Sequence, residues 1–233
     1  AHRGHVEVCK LLLNQVEDNF FGNNEGRTPL HTAALNGHIE VYKVLMDVVA
    51  DKNPRSTCQF GDTPLHWAAQ GGHLDICELI VNYAQDKNPV RNDGITPLHL
   101  AAFNGDLKLC EFLISETFDK SPKDKVGMTP FHYAAKYGHL EVCKFLIEKV
   151  SDKNPKDNFG NTPLSLAKKN NHFETDSFIT KYLVLEGIIE QPISIFELFS
   201  KLFLTALTIR ACCSLTLPGK WKFIPHSFAF LGY

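Results

Sequence analysis

The chain holds 233 residues with 24 basic and 26 acidic side chains, a formal net charge of −2. That balance excludes the basic footprint of a polyanion binder, so no nucleic-acid partner is expected. Seven cysteines without a secreted disulfide spacing, and no signal peptide in AHRGHVEVCKLLLN, point to an intracellular, cytoplasmic setting.

The opening residues, Ala1–Asn14, offer only a three-leucine run, and they gain meaning from a pattern that recurs down the chain. TPLH stands at 28–31, 63–66 and 96–99, becomes TPFH at 129–132, and ends as TPLS at 162–165. The steps are 35, 33, 33 and 33 residues. Asp51, Asp86, Asp119 and Asp152 each open DKNP or DKSP, 23 residues after their threonine. A fixed period near 33 marks a solenoid whose units touch only their neighbours. The two extra residues of the longer step fall between Asp51 and Gly61, which makes that segment a loop.

Each unit reads as a helix pair. Thr28 caps the first helix and Pro29 takes its first turn, where a missing amide costs nothing. Asn36-Gly37 stops that helix, because glycine accepts the left-handed conformation. The second helix is exemplified by HLEVCKFLIEKV at 139–150, with Leu140, Val142, Cys143, Leu146 and Ile147 on one stripe. Alanine pairs such as Ala68-Ala69 and Ala101-Ala102 suit close helix contact, and DKNP then breaks the helix. The polar segment up to the next Gly-x-Thr-Pro reads as a turn or short hairpin.

The repeated string TPLHxAAxxGHxEVCKxLI resembles the ankyrin repeat. The resemblance covers residues 1–183: a half repeat at 1–18, then units starting near Gly26, Gly61, Gly94, Gly127 and Gly160. It implies an all-α solenoid of helix-turn-helix units joined by short β-hairpin-like loops. DKNP stands where the family carries a Gly-Ala-Asp-type sequence. Ala1 aligns with Ala34, and no initiator methionine is present, so a longer parent chain with further repeats upstream is expected.

Repetition also decides a tempting cluster. His132, His139, Glu141 and Cys143 could be a metal site or a Cys/His nucleophile pair. Yet His31, His66, His99 and His132 share one register, and His5, His38, His73, His139 and His172 share another. Repetition favours architecture, and the resemblance implies that the first set bonds backbone groups within and between units. Cys9, Cys77, Cys110 and Cys143 are equivalent, on helices stacked roughly 8–10 Å apart. A disulfide needs Cα atoms within about 7 Å, so buried thiols are expected there. No phosphate loop, HExxH, GxSxG or CxxC motif occurs, so no enzyme activity, cofactor or metal is expected.

Function then lies where matching units differ. The resemblance implies partner contacts at the two residues after each alanine pair and at the hairpin tips. On this sequence those are Leu35-Asn36, Gln70-Gly71, Phe103-Asn104 and Lys136-Tyr137, with Glu25, Arg27, Phe60, Asp62, Asp93, Ile95, Val126, Met128, Phe159 and Asn161 at the tips. Solvent-facing aromatic and apolar groups are what protein hot spots are built from. Trp67 and Tyr133 follow the repeated histidine, where Leu100 and Leu166 stand in sister units, and read as core between repeats. Lysines and arginines at the tips lean basic, diluted by Asp51, Asp86, Asp93, Asp124 and Asp157 into a solvated rim. The reading is a non-catalytic scaffold or adaptor binding a protein partner. The alternative is the regulatory array of a larger membrane protein or enzyme.

The unit from Gly160 weakens as a terminal cap does: Ser165 replaces histidine and Lys168-Lys169-Asn170-Asn171 replace the apolar exit. Residues 184–233 change character, with eight aromatics, seven charges and no repeat. A membrane span at 193–217 is interrupted by Glu197, Lys201 and Arg210, each costing roughly 2.5–3.5 kcal/mol near a bilayer centre. An amphipathic helix at 193–209, or a segment that is not authentic coding sequence, are the other readings of this tail.

Overall fold

The computed structural model describes residues 1–15 and 22–190. The helices described below belong to one compact unit, Ala1–Ile189. The segments 193–217 and 193–209, expected as a span or an amphipathic helix, lie outside the described residues.

Helices account for all the regular structure among the described residues. After α1 (Val6–Leu13), the pairs are α2 (Pro29–Leu35) with α3 (Ile39–Val48), and α4 (Pro64–Gly71) with α5 (Leu74–Tyr83). Then come α6 (Pro97–Asn104) with α7 (Leu107–Glu116), and α8 (Pro130–Lys136) with α9 (Leu140–Lys149). The last pair is α10 (Pro163–Lys169) with α11 (Phe173–Leu185). First helices stack in the order α2, α4, α6, α8, α10, and second helices in the order α1, α3, α5, α7, α9, α11. The core is the slab between the two rows, and the alanine pairs lie in it with no exposure at Ala33, Ala34, Ala68, Ala69, Ala101, Ala102, Ala134 and Ala135. Only a methyl side chain lets helices of adjacent units approach this closely.

The starts and stops follow local chemistry. Thr28, Thr63, Thr96, Thr129 and Thr162 are extended N-caps with proline at the first helical turn, each in a reciprocal box with the residue three places on. Gly105 ends α6 at φ +74°, and an added Cβ would lie 2.4 Å from the His139 ring, so both backbone and space demand glycine. In the last unit Asn171 takes that left-handed position at φ 61°. Every DKNP aspartate makes the same turn, as in Asp51, whose Oδ1 accepts from Asn53 N–H at 2.9 Å. Lys52 and Lys153 fold back to donate to the last carbonyls of α3 and α9, including Val49 and Val150.

The connecting loops differ from hairpins in one respect: no strand forms among the described residues. Each loop closes on itself through two backbone bonds, such as Arg91 N–H to Ile95 O and Gly94 N–H to Arg91 O, both at 2.9 Å. Each also makes one backbone bond to the previous loop. Thr57 donates to Glu25 O, Asn92 to Phe60 O, Lys125 to Asp93 O and Asn158 to Val126 O, at 2.8–3.0 Å. Single bonds register the units without building a ladder.

Candidate binding surface

Two histidine rows hold the first helices in place. In the upper row Thr63 N–H donates to His66 Nδ1 at 3.2 Å, which puts the ring proton on Nε2. Nε2–H then donates to Ile95 O of the next unit at 3.2 Å. His31, His99 and His132 repeat the arrangement onto Asp62 O, Met128 O and Asn161 O. Burial holds these rings neutral, lowering His66 to about 3 and His99 to about 4, with His31 and His132 lowered too. The lower row runs the other way: His38, His73, His139 and His172 bond the carbonyls of His2, Leu35, Phe103 and Lys136 behind them.

One place in the lower row holds no histidine. Asp106 stands there, caps α7 by accepting from Leu109 N–H, and has no proton to send back to Gln70 O. Asn104 supplies the bond instead, its amide donating to Gln70 O at 2.8 Å and Ala69 O at 3.2 Å. A residue expected at a partner contact is thereby also a strut of the scaffold.

The cysteine ladder is inert. Cys77, Cys110 and Cys143 are buried with thiols pushed well above their usual range by desolvation, and Cys9, Cys58, Cys77, Cys110 and Cys143 are free. Among the described residues no group of three or more His, Cys, Asp or Glu is placed to hold a metal ion. Trp67 and Tyr133 bridge units as expected. Trp67 lies edge-on to His31 at 5.7 Å beneath the Arg27 guanidinium, and Tyr133 meets His99 and donates to Asp124 at 2.9 Å.

The expected contact residues fall into two clusters. Phe103 and Tyr137 meet edge-to-face at 4.6 Å, each about 40% exposed, with Lys136 Nζ 5.5 Å from the Tyr137 ring. Gln70 is exposed at the end of α4, the helix to which Asn104 bonds. The second cluster surrounds Arg91. Its guanidinium lies 4.6 Å over the Phe60 ring, 3.3 Å from Asp62 and 3.1 Å from Asp93. Asp62 is buried, so it reaches a partner less directly than Phe60 does. Ile95 and Met128 are half-buried, their carbonyls taken by the histidine row, while Val126 and Phe159 are exposed.

Sequence reasoning counted Arg91 only among the basic tip residues and passed over Phe118. Arg91, the hub of the second cluster, stands where sister units carry Asn23, Cys58, Asp124 and Asp157, and that departure was the available signal. Phe118 is fully exposed where sister units have Ala50, Gln85 and Ser151. It borders a cleft of about 570 Å³ lined also by Ile114 and Phe145 at the far ends of the second helices.

Comparison with known proteins agrees with this geometry. The family described as "Ankyrin repeats (3 copies)" matches residues 1–56, 48–124 and 103–191. The chain belongs to the ankyrin-repeat family. A relative, "ANK repeat-containing protein nipk-1" of Caenorhabditis elegans, is 40% identical over 58 residues, which are 24% of this chain and 10% of that protein. The chain thus spans about a tenth of the length of the curated relative it matches. Ankyrin repeats are generally protein–protein interaction modules, which indicates a protein partner in general terms. Among the described residues no helix of the ankyrin array is long and apolar enough to cross a membrane.

Proposed function

We propose that this ankyrin array is a non-catalytic scaffold or adaptor that binds a protein partner on the face made by its first helices and hairpin tips. The observation that carries the reading is the Phe103–Tyr137 pair. Two aromatic rings stay about 40% exposed on units whose other positions nearly coincide. Leaving such area in water is unfavourable, and aromatic anchors of this kind dominate interface energies. Gln70, Phe60, Ile95, Val126, Met128 and Phe159 extend the same face, with Asp62, Asp93, Asn104 and Lys136 supplying its polar framing. The protonated, buried thiol ladder suits a reducing, intracellular setting.

The test is capture on the immobilised full chain, with and without Phe103→Ala and Tyr137→Ala together. A true partner is expected to lose about tenfold or more in retention, since each anchor contributes on the order of 1–2 kcal/mol. Thermal melts of the two proteins are expected to agree within a few degrees, because both rings are already half in water. Retention that ignores the double variant would remove these residues from the binding face.

A further inference from the structure

Resting on that reading of the face, we propose that its partner is an acidic polypeptide segment carrying apolar side chains, received by the C-terminal half of the array. The tip carboxylates that dilute the basic lean in the sequence are not displayed there. Asp124 and Asp157 are buried, each folded into its own turn. Asp124 Oδ1 accepts from Val126 N–H at 3.0 Å and Met128 N–H at 2.8 Å, and Asp157 Oδ1 accepts from Phe159 N–H and Asn161 N–H at 2.9 and 2.7 Å. Asp124 Oδ2 takes the Tyr133 hydroxyl and Asp157 Oδ2 the Asn161 amide. Every one of these oxygens is already engaged by a donor of its own unit.

On the tips and first helices of this stretch the charged side chains that reach solvent are lysines, the exposed Asp119 and Asp152 lying back on the DKSP and DKNP turns. Lys123, Lys125, Lys156 and Lys169 are exposed, and Lys136 lies beside the exposed Tyr137 ring. Lys168 is exposed as well, 3.9 Å from Asp176. On these tips and first helices, 122–136 and 155–169, six lysines therefore outnumber the two turn carboxylates by four, although the whole chain is net −2. The N-terminal half contrasts with this. There Arg91 is held by Asp62 and Asp93, and Arg27 by Glu25. Charge complementarity thus selects an acidic ligand for one end of the face. The adjoining apolar groups, Phe103, Tyr137, Val126 and Phe159, select one that also offers aliphatic or aromatic side chains. A bare polyanion leaves those rings unused, and Phe103 and Tyr137 already pack edge-to-face, which is not an open platform for stacking bases.

The experiment titrates the full chain against three labelled peptides sharing one pattern of Leu and Phe, with Asp/Glu, Ser/Gln or Lys between them. The acidic peptide is expected to bind about tenfold or more tightly than the neutral one, a gap that closes as salt shortens the Debye length from about 10 to about 3 Å. Replacing Lys125, Lys156 and Lys169 by Glu is expected to abolish that gap and leave neutral-peptide binding and the melting curve unchanged. Equal binding of the acidic and neutral peptides, with both lost in the Phe103→Ala, Tyr137→Ala protein, overturns the acidic partner and keeps the binding face. Acidic binding that persists through the triple lysine change overturns the proposal, as does no binding of any peptide up to about 1 mM. Tighter binding of a single-stranded oligonucleotide or an anionic lipid vesicle also overturns it. Peptide binding indifferent to Phe103 and Tyr137 removes the face itself.

Discussion

At the scale of single residues the upper histidines make the most exacting contacts, and pH exposes them. Each accepts from its own unit at Nδ1 and donates to the next at Nε2, which only the neutral ring can do. His66 and His99 therefore titrate near 3 and 4 when folded, and near 6.5 when unfolded. A depressed folded value means that the unfolded chain binds more protons below pH 6.5, so stability is complete above that pH and falls as acid is added. Each ring then approaches a cost of about 1.4 kcal/mol per pH unit, and the two together lose about 3 kcal/mol between pH 6.5 and 5. Urea midpoints measured across that range are expected to fall accordingly. His66→Asn is expected to lower stability at pH 7 by about 2–3 kcal/mol, because Ile95 O loses its donor, and to flatten the acid slope by one ring's share. An unchanged slope would show that the His66 ring titrates normally in the fold.

At the scale of helices, units that share a pattern still differ in how they satisfy it. The α6–α7 unit loses the lower histidine to Asp106 and restores the bond to Gln70 O through Asn104. Asn104→Ala is expected to cost about 1 kcal/mol by leaving that carbonyl without its protein donor. In an Asp106→His background the same change is expected to cost less, since the new ring lies in the register from which His139 bonds Phe103 O. A double-mutant cycle in urea measures the difference, and strict additivity would refute the compensation. The repeat register, the Thr-Pro starts, the alanine pairs and the aspartate turns were all legible in the sequence, because each is enforced within a few residues. The exchange between positions 104 and 106 was not. It depends on which carbonyl of the preceding unit comes within hydrogen-bond reach, and nothing local encodes that.

At the scale of the whole array, contacts run only between neighbouring units, so protection is greatest where a unit is flanked on both sides. The helix α1 packs chiefly on α3, leaving Val8, Leu11 and Leu12 more than half exposed, and α11 packs on α9 and α10 with Phe173 and Leu185 exposed. Hydrogen exchange is expected to be at least about tenfold slower in α4, α6 and α8 than in α1 or the last turns of α11. Uniform protection along the array would mean that it unfolds as one cooperative block. By itself the sequence determined the period, the all-α class, the family and the scaffold role of its histidines and cysteines. Those rest on short-range rules applied repeatedly, and repetition separates architecture from chemistry. Tertiary structure alone decided which charged and apolar groups meet solvent. Asp62, Asp124 and Asp157 look like exposed tip carboxylates as letters, yet an ion pair or turn amides bury them, while Phe103 and Tyr137 remain at the surface. Exposure is a property of what surrounds a side chain, and for these residues the surroundings include units a full repeat away.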